Sequence, residues 1–139
     1  MNLQFNKAQA FALPNTFYNV LNNEYINAPL PGKAITAITF NFSDPNYSAE
    51  TGGYHPVEVR LKKENDQWNI VYVTDFSYQG RTFPELVKEI DICFITKQVF
   101  SLFAGGSVRQ HAGNLIQLFI NNFIEYYKSG VFDVQVTFE

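Results

Sequence analysis

The sequence predicts an α+β fold in which a curved antiparallel β-sheet wraps around a largely buried helix. Two helical patterns flank a run of strand patterns. Short turns join the successive strands, and a parallel return would need a long crossover connection. The chain has 139 residues, of which 46% are apolar, and this is enough for one hydrophobic core. We therefore expect a single domain over residues 1–139, with residues 1–12 as a loosely held N-terminal arm.

The first helix is predicted from Thr16 to Asn27, where apolar residues fall near helical spacing. Either Asn15 or Thr16 can cap its free N–H groups. The segment "APLPG" ends this helix, because proline neither donates a backbone N–H nor continues a helix.

Three strands follow, at residues 34–42, 55–62 and 68–78. The second, "HPVEVRLK", alternates cleanly, with His55 and Val57 on its apolar face. One face of this strand is therefore expected to contact water. The third strand is apolar on both faces in its middle, which predicts a central place in the sheet.

Residues 85–104 fit two interpretations. Ile90, Ile92 and Phe94 lie on one face at period two, but the apolar residues of the same segment also fit helical spacing. The β-branched content and a turn at 96–98 favour two strands.

The second helix is predicted from about Arg109 to Lys128, and its wide apolar sector predicts burial over most of its circumference. Lys128 suits the negative end of the helix dipole, and Gly130 suits the left-handed residue that closes a helix. The final segment, residues 131–138, alternates and predicts a strand packed on one side.

Three stretches carry a resemblance to a known family: "GGYHPVEVRL", "VTDFSYQG" with "PELVKEIDICF", and "GNLIQLFINNFIEYYKSGVFDVQV". They resemble a small bacterial family classed as a domain of unknown function, over nearly the whole chain from Phe17. The resemblance implies a cystatin-like fold, which is close to the NTF2-like architecture. It implies no activity and no functional residues. The protease-inhibiting motif of inhibitory cystatins is absent from the sequence, so we do not infer protease inhibition.

The segment "SLFAGGSVRQHAGNLIQLF" contains adjacent glycines before a helix. Its spacing fits neither a Walker loop nor a dinucleotide-binding loop. Arg109 and His111 can still hold an anion near the helix start, which makes an anion-binding regulatory domain one hypothesis. The competing interpretation is that Gly105 and Gly106 form a turn or bulge and that Ser107 caps the helix.

No metal site and no cofactor are predicted. The chain has two histidines, His55 and His111, and one cysteine, Cys93, whereas zinc needs three or four ligands at workable spacing. Because His55 lies on an apolar strand face, we expect it to be a hydrogen-bonded structural residue.

The best enzyme hypothesis places a buried acid in an apolar pocket, where burial raises a carboxyl pKa and permits proton transfer. Asp75 is the first candidate, with Tyr72 as the aromatic partner, although strand alternation puts Asp75 on the face opposite Tyr72 and Tyr78. Asp91 is the second. The alternative for each acid is an exposed strand carboxylate.

The composition favours a non-catalytic module that binds a small molecule or a protein. A 17% aromatic share predicts that some rings line a cleft or an interface, including that of a homodimer. A net charge of −3 without a basic stripe argues against nucleic acid. A single cysteine and no long apolar run fit a cytoplasmic protein without a membrane segment. No complete catalytic motif supports an enzyme, and a small-molecule enzyme or carrier remains the alternative.

Overall fold

The computed structural model describes residues 2–108 and 112–139. Within these residues the chain forms two helices and seven strands. In chain order they are α1 (Asn15–Asn27), β1 (Ala37–Ser43), β2 (Val57–Glu64), β3 (Gln67–Gln79), β4 (Glu85–Cys93), β5 (Gln98–Ser101), β6 (Gly106–Val108), α2 (Ala112–Lys128) and β7 (Asp133–Phe138).

The strands form one open antiparallel sheet in the order β6-β5-β4-β3-β2-β1-β7. β3 lies at its centre, as its apolar middle predicts, and β7 returns after α2 to pair with β1. The prediction of an α+β fold with an antiparallel sheet is confirmed. The prediction of two strands in residues 85–104 is also confirmed, since β4 and β5 pair with each other.

The core lies between one face of the sheet and the two helices. Phe40 and Phe42 of β1 are fully buried on this inner face. Phe123 of α2 packs edge-on against Phe42, with ring centroids 4.9 Å apart. The predicted alternation of β2 is confirmed, because Val57, Val59 and Leu61 are buried while the residues between them are not.

α2 is buried along one side only, so the prediction of burial over most of its circumference is wrong. Its buried residues, at helical spacing, are Ile116, Phe119, Ile120, Phe123 and Ile124. Leu118, two residues before Ile120, is 61% exposed. The reason is the open sheet, which covers one face of a helix and does not close around it.

The start of α1 and the end of α2 differ in how they match the capping residues that the sequence predicts. α1 begins after Pro14 without a side-chain cap, so the predicted capping by Asn15 or Thr16 is wrong. The Asn15 side chain instead accepts a hydrogen bond from Lys7 Nζ at 3.1 Å. At the end of α2, Gly130 adopts φ +76°, which confirms the predicted left-handed residue.

Gly105 and Gly106 lie at the hairpin between β5 and β6, with φ +79° and +135°. The Gly105 N–H donates to the carbonyl of Leu102 at 3.2 Å. These contacts favour the turn interpretation of the two glycines over a phosphate loop.

The N-terminal residues contact the body more closely than the expected loose arm. β3 extends beyond β4, and the arm covers the stretch that β4 leaves unpaired. The Trp68 N–H donates to the carbonyl of Gln4 at 2.8 Å. The Gln9 side chain pairs with both backbone groups of Ile70, at 2.8 and 2.9 Å. The arm therefore acts as a partial neighbouring strand of β3.

Among the residues that the structure describes, no helix has the length and apolar character needed to cross a membrane.

Candidate functional site

A cavity of about 350 Å³ lies between α2 and the inner face of the sheet. Its walls are mainly apolar and aromatic, with polar groups at one end. The lining residues are Gly53, Tyr54, His55, Val57, Asp75, Ile90, Leu115, Leu118, Phe119, Asn122, Phe123, Tyr126 and Phe132. Leu118 and Tyr126 are 61% and 38% exposed, so the cavity opens to solvent along α2.

Three titratable side chains meet at the polar end of this cavity, where His55 and Asp75 line it and Glu89 lies behind them against His55. The Nδ1 atom of His55 lies 2.7 Å from Oε2 of Glu89 and 3.4 Å from Oδ2 of Asp75. One ring nitrogen of His55 and one carboxylate oxygen from each of the two acids all lie within 4.8 Å of one another. Residues that are far apart in sequence thus form a compact histidine–carboxylate cluster.

Asp75 is buried at the centre of the sheet, with 6% of its surface exposed. Within the described ranges it is the one buried carboxylate, and acids are seldom buried without a role or a partner. Its Oδ1 atom accepts the N–H of Ile90 at 2.8 Å. Asp75 therefore has a fixed orientation, with its second oxygen directed at His55.

Glu89 reaches this cluster because β4 is irregular. Asp75 pairs with Ile90 and Phe76 pairs with Lys88, which leaves Glu89 without a partner on β3. In a regular strand Glu89 would share the outer face with Asp91. The bulge turns its side chain toward the inner face, as bulges beside functional sites often do.

His55 follows a loop that is held by Asp44. The carboxylate of Asp44 accepts the N–H groups of Asn46 at 2.9 Å and Tyr54 at 3.0 Å. Gly53 has φ +142°, and a Cβ there would lie 2.9 Å from Oδ2 of Asp44. Glycine is therefore needed at this position for the loop to bring His55 to the sheet.

The cluster shifts the pKa values of two of its members. The hydrogen bond to Asp75, with the negative charges of both acids, raises the pKa of His55 against the opposing effect of burial. Burial raises the pKa of Glu89, and the negative charge of Asp75 raises it further, while His55 opposes both effects. Two acids that share one histidine thus lack a full complement of positive charge.

The structure separates the predicted residues Asp75 and Tyr72. Tyr72 lies on the outer face of the sheet, where its hydroxyl donates to Oε2 of Glu58 at 2.5 Å. Burial, followed by this bond, raises the pKa of Tyr72. Asp91 also lies on the outer face and accepts a hydrogen bond from Thr74 at 2.5 Å. The aromatic residues that line the same cavity as Asp75 are instead Tyr54, Phe119, Phe123, Tyr126 and Phe132.

Arg109 and His111, the predicted anion-binding pair, lie outside the described residues. The sequence predicted no role for Glu89, and it predicted a structural role for His55. For His55 a signal existed, because strand alternation places it on the inner face with Val57. For Glu89 the alternation points the wrong way, and only the bulge brings it in.

Larger grooves occur elsewhere, but among the described residues only His55, Asp75 and Glu89 form a cluster of this kind. One of about 550 Å³ lies between the N-terminal arm and α2 and is lined mainly by apolar residues. Another, of about 600 Å³, lies on the outer sheet face and includes Asp91 and Cys93. The cavity with His55 and Asp75 combines an apolar wall with a buried carboxylate, which is typical of ligand sites.

Comparison with known proteins places this architecture in a family. A family model described as "Protein of unknown function (DUF2787)" matches residues 15–137. The chain belongs to this family. The predicted resemblance to a small bacterial domain of unknown function is therefore confirmed.

Two solved structures from Vibrio cholerae are similar to this DUF2787 chain. The hypothetical protein VC0508, from the VSP-II pathogenicity island, is 28% identical, covers 99% of both chains and has a TM-score of 0.89. The conserved hypothetical protein VC1805, from pathogenicity island VPI-2, is 33% identical over 94% of this chain and 98% of its own, with a TM-score of 0.78. VC1805 is described as sharing structural homology with the human P32 protein. No curated protein matches the chain.

Proposed function

We propose that this DUF2787 protein is a binding module for a small amphipathic molecule. The observation that carries the proposal is the cavity under α2, where an apolar wall ends at the buried carboxylate of Asp75. The apolar part of the ligand contacts Leu115, Phe119 and their neighbours. Its polar part lies against His55 and Asp75.

The cavity has the size and chemistry of a small-molecule site. Pockets for such ligands occupy about 300–1,000 Å³ and combine apolar walls with a few fixed polar groups. Leu118 supports the proposal from outside, because it is an exposed apolar residue at the mouth. A ligand in the cavity would cover this side chain and gain from its removal from water.

A small-molecule enzyme or carrier is the second candidate, and one contact favours it. The short distance from His55 Nδ1 to Glu89, 2.7 Å, joins an acid and a base at the polar end of the cavity. Such a pair can move a proton to or from a bound molecule. The first proposal needs no such step, and no complete catalytic motif is present in the sequence.

Titration with the neutral fluorescent probe N-phenyl-1-naphthylamine tests the binding proposal. We expect saturable binding by the unaltered protein. Leu118→Glu should weaken it on the order of tenfold, because a charge replaces part of the apolar wall. Leu30→Glu is the matched control, since Leu30 is 78% exposed and does not line the cavity. Absence of saturable binding, or equal weakening in both variants, contradicts the proposal.

A homodimer is a separate proposal, supported by the apolar groove on the outer face of β4 and β5. Exposed Phe83 and Phe103 add apolar surface outside the core. Light scattering with size-exclusion chromatography tests it, and a monomer at high micromolar concentration contradicts it.

We also propose a cytoplasmic location from the single cysteine, no nucleic-acid partner from the acidic charge, and a cystatin-like or NTF2-like classification from the helix-on-sheet packing.

A further inference from the structure

We propose that His55, Asp75 and Glu89 bind a divalent transition-metal ion at the polar end of the cavity. The proposal goes beyond the binding of an organic ligand and does not depend on it. It rests on the spacing of three ligand atoms, on the charge of the cluster and on the way the sheet positions it.

The three ligand atoms already have nearly the spacing that a metal ion requires. Ligand atoms about 2.1 Å from a tetrahedral zinc ion lie about 3.4 Å from one another. In the cluster, Nδ1 of His55 lies 3.4 Å from Asp75 and 2.7 Å from Glu89, and all three atoms lie within 4.8 Å.

The charge of the cluster favours a cation. Asp75 and Glu89 supply two carboxylates, and His55 balances at most one of them. Among the described residues, no side-chain nitrogen of a lysine or arginine lies within 4.0 Å of a carboxylate oxygen of either acid. A divalent ion would neutralise both carboxylates and leave the imidazole neutral, which is the form that binds metal.

The donor set points to a transition metal more than to calcium or magnesium. Imidazole nitrogen suits zinc, iron and nickel, whereas calcium and magnesium prefer oxygen ligands alone. Three protein ligands with a position left open are typical of metal sites that also take a substrate or water. His55 and Asp75 line the cavity, so the open position of a bound ion borders it.

The sheet holds the ligands in place before any ion binds. Asp75 is 6% exposed and is oriented by the N–H of Ile90, as supporting hydrogen bonds orient metal-binding carboxylates. Glu89 is directed inward by the β4 bulge. Each ligand comes from a different segment, so the site exists only in the folded chain.

Isothermal titration of the chelator-stripped full-length protein with zinc sulfate tests this inference. We expect one zinc ion per chain. The visible absorption of the cobalt(II) form gives a second readout, because its intensity reports the coordination number. No organic ligand is present, so failure of this test is distinguishable from failure of probe binding in the cavity.

Three variants and one matched control localise the ion. His55→Gln, Asp75→Asn and Glu89→Gln should each weaken zinc binding at least tenfold, since losing a direct ligand costs at least as much as losing a supporting group. Asp91→Asn is the control, because it makes the same change on the outer face of the sheet. Circular dichroism checks that each variant folds.

The outcomes separate cleanly. The inference is supported if the protein binds one zinc ion, if His55→Gln and Glu89→Gln weaken this binding, and if Asp91→Asn leaves it unchanged. His55 and Glu89 are partly exposed, so these two variants test the inference even if Asp75→Asn fails to fold. Absence of saturable binding overturns it. It is also overturned if His55→Gln and Glu89→Gln bind zinc as tightly as the unaltered chain, or if Asp91→Asn weakens binding equally.

Discussion

The one-sided packing of α2 predicts that two similar aliphatic residues on this helix contribute very differently to stability. Ile120 is 1% exposed and faces the core, whereas Leu118 is 61% exposed and lies two residues earlier. Replacing each by alanine removes three carbon atoms. The comparison therefore isolates burial from side-chain size.

The expected losses follow from burial. Removing three buried carbon groups costs about 0.8 kcal/mol each, and the cavity that remains adds to this. Alanine's better helix propensity returns a few tenths of a kcal/mol. We expect Ile120→Ala to lower the free energy of unfolding by about 3 kcal/mol, and Leu118→Ala to lower it by less than about 1 kcal/mol.

Urea unfolding followed by circular dichroism measures both losses, provided that the dependence of the free energy on urea stays unchanged. A loss of about 3 kcal/mol is a large part of the roughly 5–15 kcal/mol that stabilises a typical domain. Equal losses in the two variants would refute the one-sided packing and would support a helix surrounded by the sheet.

Three further predictions concern the loop, the arm and a tyrosine. Gly53→Ala should destabilise the fold by about 1–3 kcal/mol in urea unfolding, because its Cβ meets Asp44 at 2.9 Å with φ +142°. Gln9→Ala should cost about 1–3 kcal/mol in the same assay, since both backbone groups of Ile70 lose their partner. Burial, followed by the hydrogen bond to Glu24, raises the pKa of Tyr127 to about 12. Its ionisation should therefore lower stability between pH 10 and 12, and Tyr127→Phe should remove this part of the loss.

Controls for these predictions come from neighbouring positions. Gly52→Ala meets no atom within 4 Å and should cost less than Gly53→Ala. Gln4→Ala keeps the backbone bond to Trp68 and should change little. Tyr126→Phe should leave the alkaline loss of stability in place. Each prediction fails if its control behaves like the variant.

Local patterns predicted the fold well where one face of an element is buried. Val57 and Val59 alternate with polar residues, and this period of two settles both the strand and its inner face. The apolar middle of β3 predicted its central place, because a strand buried on both faces has neighbours on both sides. Alternation and turn residues act over a few positions, so they can be read from the chain directly.

Features that depend on contacts between distant segments could not be predicted from these local patterns. The apolar sector of α2 is wide, but the part of it that is exposed depends on whether the sheet closes around the helix. The sequence around Leu118 does not show this, and Leu118 is exposed. Asp75 was identified as a candidate by its apolar surroundings alone. Glu89 was not, because a bulge reverses the face that alternation assigns to it. The polar end of the cavity therefore emerges only from the pairing register of β3 and β4.

The most direct test of the proposed ligand site is an NMR titration of methyl-labelled protein with N-phenyl-1-naphthylamine. The methyl groups of Val57, Ile90 and Leu115 line the cavity, while those of Val87 and Leu102 line the outer groove. We predict saturable shifts at the first three and none at the other two. Shifts confined to the outer groove, or no shifts at the cavity, would contradict the account.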